Sequence, residues 1–554
     1  MSFKVPFRKT IFRLLTAIMM VLYFAPSIKL AYGVTFTADK TITTNETVQQ
    51  KFLTNTGLTL TIEDGASVIR NGDAGVNVNS VSDSTIIIKS GGLVEVSGNG
   101  SRNNGIKANS ATNTTITNSG TISAENNHAI KIDSSTNGII TNNAGGTITA
   151  GNNFAILANS STNLTITNSG TISVSPSSSA IQLTDSTGAT IILKDGGLII
   201  GKITTTGTGN KLQFDHGFGR SYFYETSGDF TLEDLSGNTV LKGSAGSISL
   251  ARQETVDEML GLRAFNLRSA LKRYASAPMS SDDNMVWGET FGYTQKRGGT
   301  DTLLKYDTHG YGMNFIYPVM SKLGLILSVE RNQLDFAEEY EVSRTGFLAG
   351  FNVPEFSGFG KGNWKLGGFA VAGMGWYDST REILTNTTST GLLDVTADYQ
   401  SVEVITGLNI KNTHKSPSNG WIKNKWDTEM GLTLQGSNTP DYNERHYFSF
   451  EERTLIQESV HFGEQLTSTF NDRLAITLGL EYEFRFVLAG RNQTYSINGT
   501  KADYDDGSFS QNSGSGNLGL SYRFGSKSKL NQGRAYIQFN IRLSDETRGT
   551  YGGS

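Results

Sequence analysis

The sequence predicts an all-β protein of two unlike parts: a stacked β-solenoid in the N-terminal half and a transmembrane antiparallel β-barrel in the C-terminal half. Three observations carry this. Near-copies recur between Asp83 and Ile200 at roughly 25 residues, the range of solenoid repeats. From Met285 onward the chain reads as long segments of period two. The two parts also differ in composition, since Phe154 is the single aromatic between Ser101 and Ile200 whereas all 5 Trp lie beyond residue 285.

Charge and composition narrow the function classes. The 554 residues carry 51 acidic and 47 basic side chains, a net charge of −4, which gives no reason to expect nucleic acid as a partner. Cys is 0, so disulfide scaffolds, thiolate zinc sites and cysteine nucleophiles are excluded.

Lys4, Arg8, Lys9 and Arg13 precede the apolar run Leu14 to Ala25, and Ala31-Tyr32-Gly33 supplies small residues before Val34. Residues 1–33 are therefore expected to be a secretory signal peptide. A signal anchor is the alternative, but about a dozen apolar residues fall short of the roughly 20 that a spanning helix needs.

Asn109 to Ala124, Asp133 to Ala150 and Asn159 to Val174 nearly repeat one another, with looser copies from Asp83 and Asp185. Each holds short β-rich triplets, such as Ile130 to Ile132, Ile139 to Thr141 and Thr147 to Thr149, separated by turn-forming Asn, Gly and Ser. This predicts three strands per coil over residues 34–213, an Ile/Val column inside and ladders of Asn and Thr at equivalent positions. At about 25 residues per coil, about eight coils are expected. A low-complexity linker would lack the periodic Ile. Phe214 to Leu250 breaks the pattern with Phe214, Phe218, Tyr222, Phe223, Tyr224 and Phe230, and is expected to cap the solenoid.

Within 251–276, Thr255 and Glu258 have capping-box spacing, and Val256, Leu260, Leu267, Leu271 and Tyr274 recur at helical intervals. A helix is predicted over about 254–274. Its acids (Glu254, Asp257, Glu258) come early and its bases (Arg263, Arg268, Lys272, Arg273) late, as the helix dipole favours.

Over 285–543 the clearest strand is Leu474 to Phe486, where Leu474, Ile476, Leu478, Leu480, Tyr482, Phe484 and Phe486 alternate with Ala475, Thr477, Gly479, Glu481, Glu483 and Arg485. Trp426 to Gln435 and Ala535 to Leu543 repeat the split. Strands this long, apolar on one face and charged on the other, suit a membrane barrel better than a soluble sandwich. Trp287, Tyr293, Tyr317, Trp364, Trp376, Tyr377, Trp421 and Trp426 are expected at the membrane interfaces. Residues 544–554 read as a polar tail.

This order of parts resembles the autotransporters of Gram-negative bacteria, the type V secretion family. Trp287 to Gly292 (WGETFG) resembles the first-strand pattern of the family's translocator domain, Asp307 to Asn314 (DTHGYGMN) its second, and Gly324-Leu325 the start of its third. Asn517 to Phe524 (NLGLSYRF) fits the signal that the outer-membrane assembly machinery reads, although another alternating strand follows it here. The repeats resemble pertactin-type right-handed β-helical passengers.

The resemblance implies a barrel of twelve strands in the outer membrane, exported with the help of the inner-membrane secretion machinery, with the helix in its pore. It also implies an autochaperone-like cap and a passenger moved to the cell surface. Arg263, Arg268, Lys272 and Arg273 would then pair with inward acids such as Glu481 and Glu483. Some members release the passenger at an Asn-Asn pair in the lumenal helix. Asn266 has no Asn neighbour, so no self-cleavage by that route is expected.

No catalytic, cofactor-binding or metal-binding residue is expected. Gly-x-Ser-x-Gly, Gly-Asp-Ser-Gly and His-Glu-x-x-His are absent, and the mature passenger holds only His128, read as an exposed turn residue, and His216, in the cap. Asp133, Asp185 and Asp195 are read as closing turns. The passenger is expected to be an adhesin or a self-association surface, with a host or bacterial glycan or protein as partner. A purely structural display rod and a polysaccharide hydrolase are the alternatives, the latter requiring paired carboxylates in one groove. A secreted β-helix protein of another source would lack the lipid-facing belt.

Overall fold

The computed structural model describes residues 33–548 apart from 53–56, 99, 101, 242–244, 249–250, 277–285, 300–303, 321, 337–339, 357–362, 417–420, 472, 506–508 and 525–532. The expected signal peptide, save Gly33, and the end of the expected tail, 549–554, lie outside the described residues. The chain divides into two compact units, one made of 1–191 with 204–210 and 228–230, the other of 192–203, 211–227 and 231–554.

The first unit is a parallel β-solenoid with three strands per coil. One of its sheets stacks Val34–Phe36, Gln50–Phe52, Val76–Asn79, Ile106–Asn109, Ile130–Asp133, Ile156–Asn159 and Ser179–Thr184, each paired in parallel with the next. The stretch up to 191 holds seven strands of this nine-stranded sheet, against about eight coils expected over 34–213. The in-register columns are those the repeats imply: Ile86, Ile116, Ile140 and Ile166 stack in one sheet, and Val68, Val94, Ile122, Ile148 and Ile172 in another, all buried.

Polar ladders complete the coils. Inside, Asn118 Nδ2 donates to Asn142 Oδ1 at 2.8 Å and Asn142 Nδ2 to Asn168 Oδ1 at 2.9 Å, so each buried amide is satisfied by its copy one coil away. At the turns, Asn113, Asn137 and Asn163 take φ of 53°, 53° and 55°, a left-handed geometry that Asn tolerates, and are again linked amide to amide.

His128 departs from the expectation. It is 7% exposed and stacks on Phe154, ring centroids 5.4 Å apart and planes 9° from parallel. The single aromatic between Ser101 and Ile200 thus covers the imidazole of the preceding coil. Burial, with Lys131 nearby as a lesser cause, lowers the His128 pKa to about 4.

In the second unit the helix runs Ala251–Ser276. It begins four residues before Thr255, so the expected capping box lies inside it. Eleven antiparallel strands follow, each hydrogen-bonded to the next: first Trp287–Arg297, second Tyr306–Met320, third Leu323–Phe336, fourth Tyr340–Val353, fifth Trp364–Thr385, sixth Leu392–Lys415, seventh Ile422–Thr439, eighth Arg453–Phe470, ninth Leu474–Ala489, tenth Phe509–Phe524 and eleventh Gly533–Arg548. The last strand takes in the first five residues of the expected tail.

Twelve strands were expected and eleven are present among the described residues. The short β-segments between the long strands, Tyr442–Asn443, Phe448–Phe450, Asn492–Ile497 and Thr500–Asp505, pair with one another in a separate four-stranded sheet and add nothing to the large one. Among the described residues no ladder joins the first strand to the eleventh, although the Trp287 and Tyr536 rings come within 6.3 Å.

Inward and outward residues alternate along most of this sheet. On the ninth strand Leu478, Leu480 and Tyr482 are exposed while Ala475, Glu483 and Arg485 are buried, and Ile537, Phe539, Ile541 and Leu543 continue the exposed apolar face on the eleventh. An outward belt this apolar suits hydrocarbon contact, and the inward face carries the charges. Among the described residues no helix is long and apolar enough to cross a membrane. Tyr317, Trp364, Trp376, Trp421 and Trp426 are exposed, as interface residues would be. Tyr293, Tyr377 and Trp287 correct the expectation: Tyr293 bonds inward to Glu330, Tyr377 is buried beside Glu403, and Trp287 packs on Tyr274 of the helix.

Candidate functional site: the charged lumen around the helix

The helix is held by both of its faces. Ala264, Leu267, Leu271 and Tyr274 pack on Ile316, Ile326, Leu348, Val371 and Ile405 of strands two to six, and Met259 on Tyr306 and Leu334. The opposite face is polar and meets the inward charges of strands one, three, eight, nine and eleven.

At its N-terminal end Asp257 receives Arg453 at 3.0 Å and Arg491 at 2.8 Å, and Glu258 receives Arg485 at 3.2 Å and Arg297 at 3.6 Å. Arg485 also donates to the Asp257 carbonyl at 3.0 Å. This approach needs Gly261, where a Cβ would lie 1.2 Å from Arg485 Nη1. In the middle, Arg263 meets the fully buried Glu330 at 2.7 Å and the Ser328 carbonyl at 3.1 Å, while Tyr293 donates to the other Glu330 oxygen at 2.6 Å.

The C-terminal half carries the bases. Arg268 meets Glu481 and Glu483, Lys272 meets Glu481 at 3.3 Å, and Arg542 of the eleventh strand reaches Glu483 at 2.9 Å. Arg273 forms a two-pronged pair with Glu289, at 2.7 and 2.9 Å. A planar fork on a carboxylate fixes orientation as well as distance. The cost of desolvating such charges offsets much of their attraction, so they specify the helix position more than they add stability.

The expected pairing of Arg268 and Lys272 with Glu481 and Glu483 is therefore present, and Arg263 and Arg273 find Glu330 and Glu289. Sequence reasoning missed the acidic end, Asp257 and Glu258 against Arg453, Arg485 and Arg491, and the wall pairs Arg344 with Glu403 and Arg381 with Glu444. For Arg453, Arg485, Arg344, Glu403 and Arg381, inward parity on period-two strands was a signal that could have found them, whereas Arg491 and Glu444 lie between strands.

Beyond the N-terminal end of the helix, the segment expected as a solenoid cap joins the large sheet. Tyr222–Tyr224 pairs with Leu384 and Thr385 at the end of the fifth strand, Glu225 exchanges two bonds with the Asn386 side chain at 2.7 and 2.9 Å, and Arg381 reaches Ser221 at 2.7 Å. Phe214, His216, Tyr222 and Tyr224 form one aromatic cluster. Burial lowers the His216 pKa to about 4, against a bond to the Lys194 carbonyl at 3.2 Å that raises it. Burial also raises the Asp234 carboxyl, despite the hydroxyl of Tyr222 donated to it at 2.7 Å.

No family model matches the chain, and no curated relative does. Among solved structures, the chain is similar to the translocator domain of the autotransporter NalP from Neisseria meningitidis, at 14% identity over 53% of this chain and 98% of that one, with a TM-score of 0.32. It is also similar to the β domain of the Bordetella autotransporter BrkA, at 12% identity over 47% of this chain and 92% of that one, TM-score 0.29. A loop-deletion variant of OmpT, an outer membrane protein of Vibrio cholerae, matches at 12% identity over 48% of this chain and 95% of that one, TM-score 0.16.

The architecture fits an autotransporter. Under the resemblance drawn from the sequence, the solenoid corresponds to the passenger, the eleven-stranded sheet to the translocator and the helix to the linker between them.

Proposed function

We propose that the translocator carries its own passenger across the outer membrane and that the passenger then acts as an adhesive or self-associating surface. The observation that carries the first part is the helix itself. It enters the chain directly before the first barrel strand and is ion-paired at Asp257, Glu258, Arg263, Arg268, Lys272 and Arg273 along its length, as the trailing end of a translocated chain would be.

The energetics of export are local. Each coil that stacks outside buries another set of Ile and Val side chains, worth about 25 cal/mol per Å² of apolar surface removed from water, so outward movement is favoured without nucleotide hydrolysis. The lack of Cys suits transit, because no disulfide can lock the passenger early. The inner-membrane secretion machinery and the barrel assembly machinery are the partners this route requires.

The outward columns of the passenger support the adhesive role. Thr117, Thr141 and Thr167 are in register on one face, and Thr121, Thr147 and Thr171 on another. Such columns offer hydroxyls at the strand spacing of about 4.8 Å, suited to hydrogen-bonding a glycan or a second polar rod. The reading gives the passenger no catalytic step.

Intact cells expressing the full chain, treated with protease and then extracted in detergent, test both parts of the export route. The passenger is expected to be digested from outside while a heat-modifiable barrel fragment survives. A passenger protected in intact cells, or a C-terminal fragment soluble without detergent, overturns the reading. Cell settling with and without the passenger tests adhesion.

A further inference from the structure

A cavity of about 590 Å³ lies where strands three to six leave the apolar belt, lined mostly by outward residues of those strands, with the inward-facing Tyr377 and Tyr399 and with Pro440 to Tyr442 after the seventh strand. Below it the outward residues are apolar: Val329, Phe347, Met374, Val402 and Val404. At its floor a lateral row runs Arg331, Thr345, Trp376 and Gln400, residues paired one to the next across four strands. One step farther from the belt, Asp378 is paired directly opposite Asp398, and Asp441 projects from the loop.

Two carboxylates directly opposite on an antiparallel pair repel, and Trp376 is 47% exposed at the edge of the belt. The lining joins three kinds of recognition: an indole face on which the C–H face of a sugar ring stacks, carboxylates and an amide that accept from hydroxyl or ammonium groups, and one guanidinium suited to a phosphate. The order along the membrane normal matters. The guanidinium and indole lie nearest the hydrocarbon, where a lipid's phosphate and first sugar sit, and the carboxylates lie farther out.

We propose that this cavity binds the phosphorylated sugar headgroup of a membrane glycolipid. The binding uses Arg331, Trp376, Asp378, Asp398, Gln400 and Asp441, and rests on the membrane reading of the barrel but not on its role in export.

The test uses the full chain purified in detergent and returned to mixed micelles, with rough-type lipopolysaccharide competing against phosphatidylglycerol and retained lipid read by native mass spectrometry. A preference of at least fivefold for the glycolipid is expected. It should fall below twofold in W376A and in D378N/D398N, which are outward substitutions, with heat-modifiability retained. R331Q is the third variant, expected to weaken glycolipid retention and leave phosphatidylglycerol unchanged. A smaller preference in the wild type, or one that survives all three variants, overturns the proposal. Retention of neither lipid by a folded chain overturns the membrane reading itself.

Discussion

Arg268 lies between two carboxylates of one barrel strand, its guanidinium 2.7 Å from Glu481 and 2.9 Å from Glu483. Those residues are two apart on a strand and so share a face, and one arginine of the helix answers both. Replacing it by alanine leaves two buried carboxylates with only Lys272 and Arg542. A loss of about 3 kcal/mol is expected, the usual cost of breaking one side of a buried ion pair. The heat-modifiability transition of R268A should fall accordingly, and E481Q/E483Q in the same background should recover part of it.

Gly261 is required by Arg485. With a Cβ 1.2 Å from Nη1, the guanidinium must leave its bonds to Glu258 and to the Asp257 carbonyl. G261A is expected to lose about 1–3 kcal/mol, against the small gain that alanine gives in an unconstrained helix. A transition temperature unchanged or raised in G261A would contradict this packing.

Asn142 sits mid-ladder, donating to Asn168 and accepting from Asn118. N142A removes one bond from the buried Asn118 amide and one from the buried Asn168 side chain, for an expected loss of about 1–3 kcal/mol. The urea midpoint for loss of β-sheet dichroism reads it, with exposed N137A as the control that should change far less.

His216 gives the cluster above the barrel a dependence on pH. Its folded pKa, lowered to about 4, lies below the ordinary 6.5, so the unfolded chain binds more protons between these values. Its contribution is present above pH 6.5 and is lost as pH falls toward 4, up to about 3 kcal/mol in all. Protease sensitivity near Tyr222 should rise over that window, and H216N should flatten the dependence.

The lumenal helix should not be cut by the chain itself. Asn266 stands beside Leu267 and Phe265 rather than a second Asn. Washed cells should yield one full-length band, and a stable fragment beginning between Gln253 and Tyr274 would overturn the expectation.

Much of this was legible because periodicity speaks directly of which face is buried. Leu474 to Phe486 could be divided into two faces residue by residue, and the repeats placed Ile116, Ile140 and Ile166 in one column before any coordinates. What was illegible depended on distant partners. The burial of His128 needs Phe154 a coil away, and the inward turn of Tyr293 depends on Glu330, two strands over. The strand count failed for a similar reason, since nothing local tells whether Asn492–Ile497 joins the wall or folds back on Thr500–Asp505. Of the lumen, the basic half was readable from the helix dipole. The acidic half required knowing that Arg453, Arg485 and Arg491 converge there.

An odd number of antiparallel strands has a topographic result. The first strand ends at Arg297, near Glu258 at the start of the helix, and the eleventh ends at Arg548, opposite Phe509, whose ring lies under Arg491. The first and eleventh strands thus finish at the same mouth, the one at which the helix begins. On the proposed export reading, an epitope placed after Arg548 would be stained by antibody on unbroken cells.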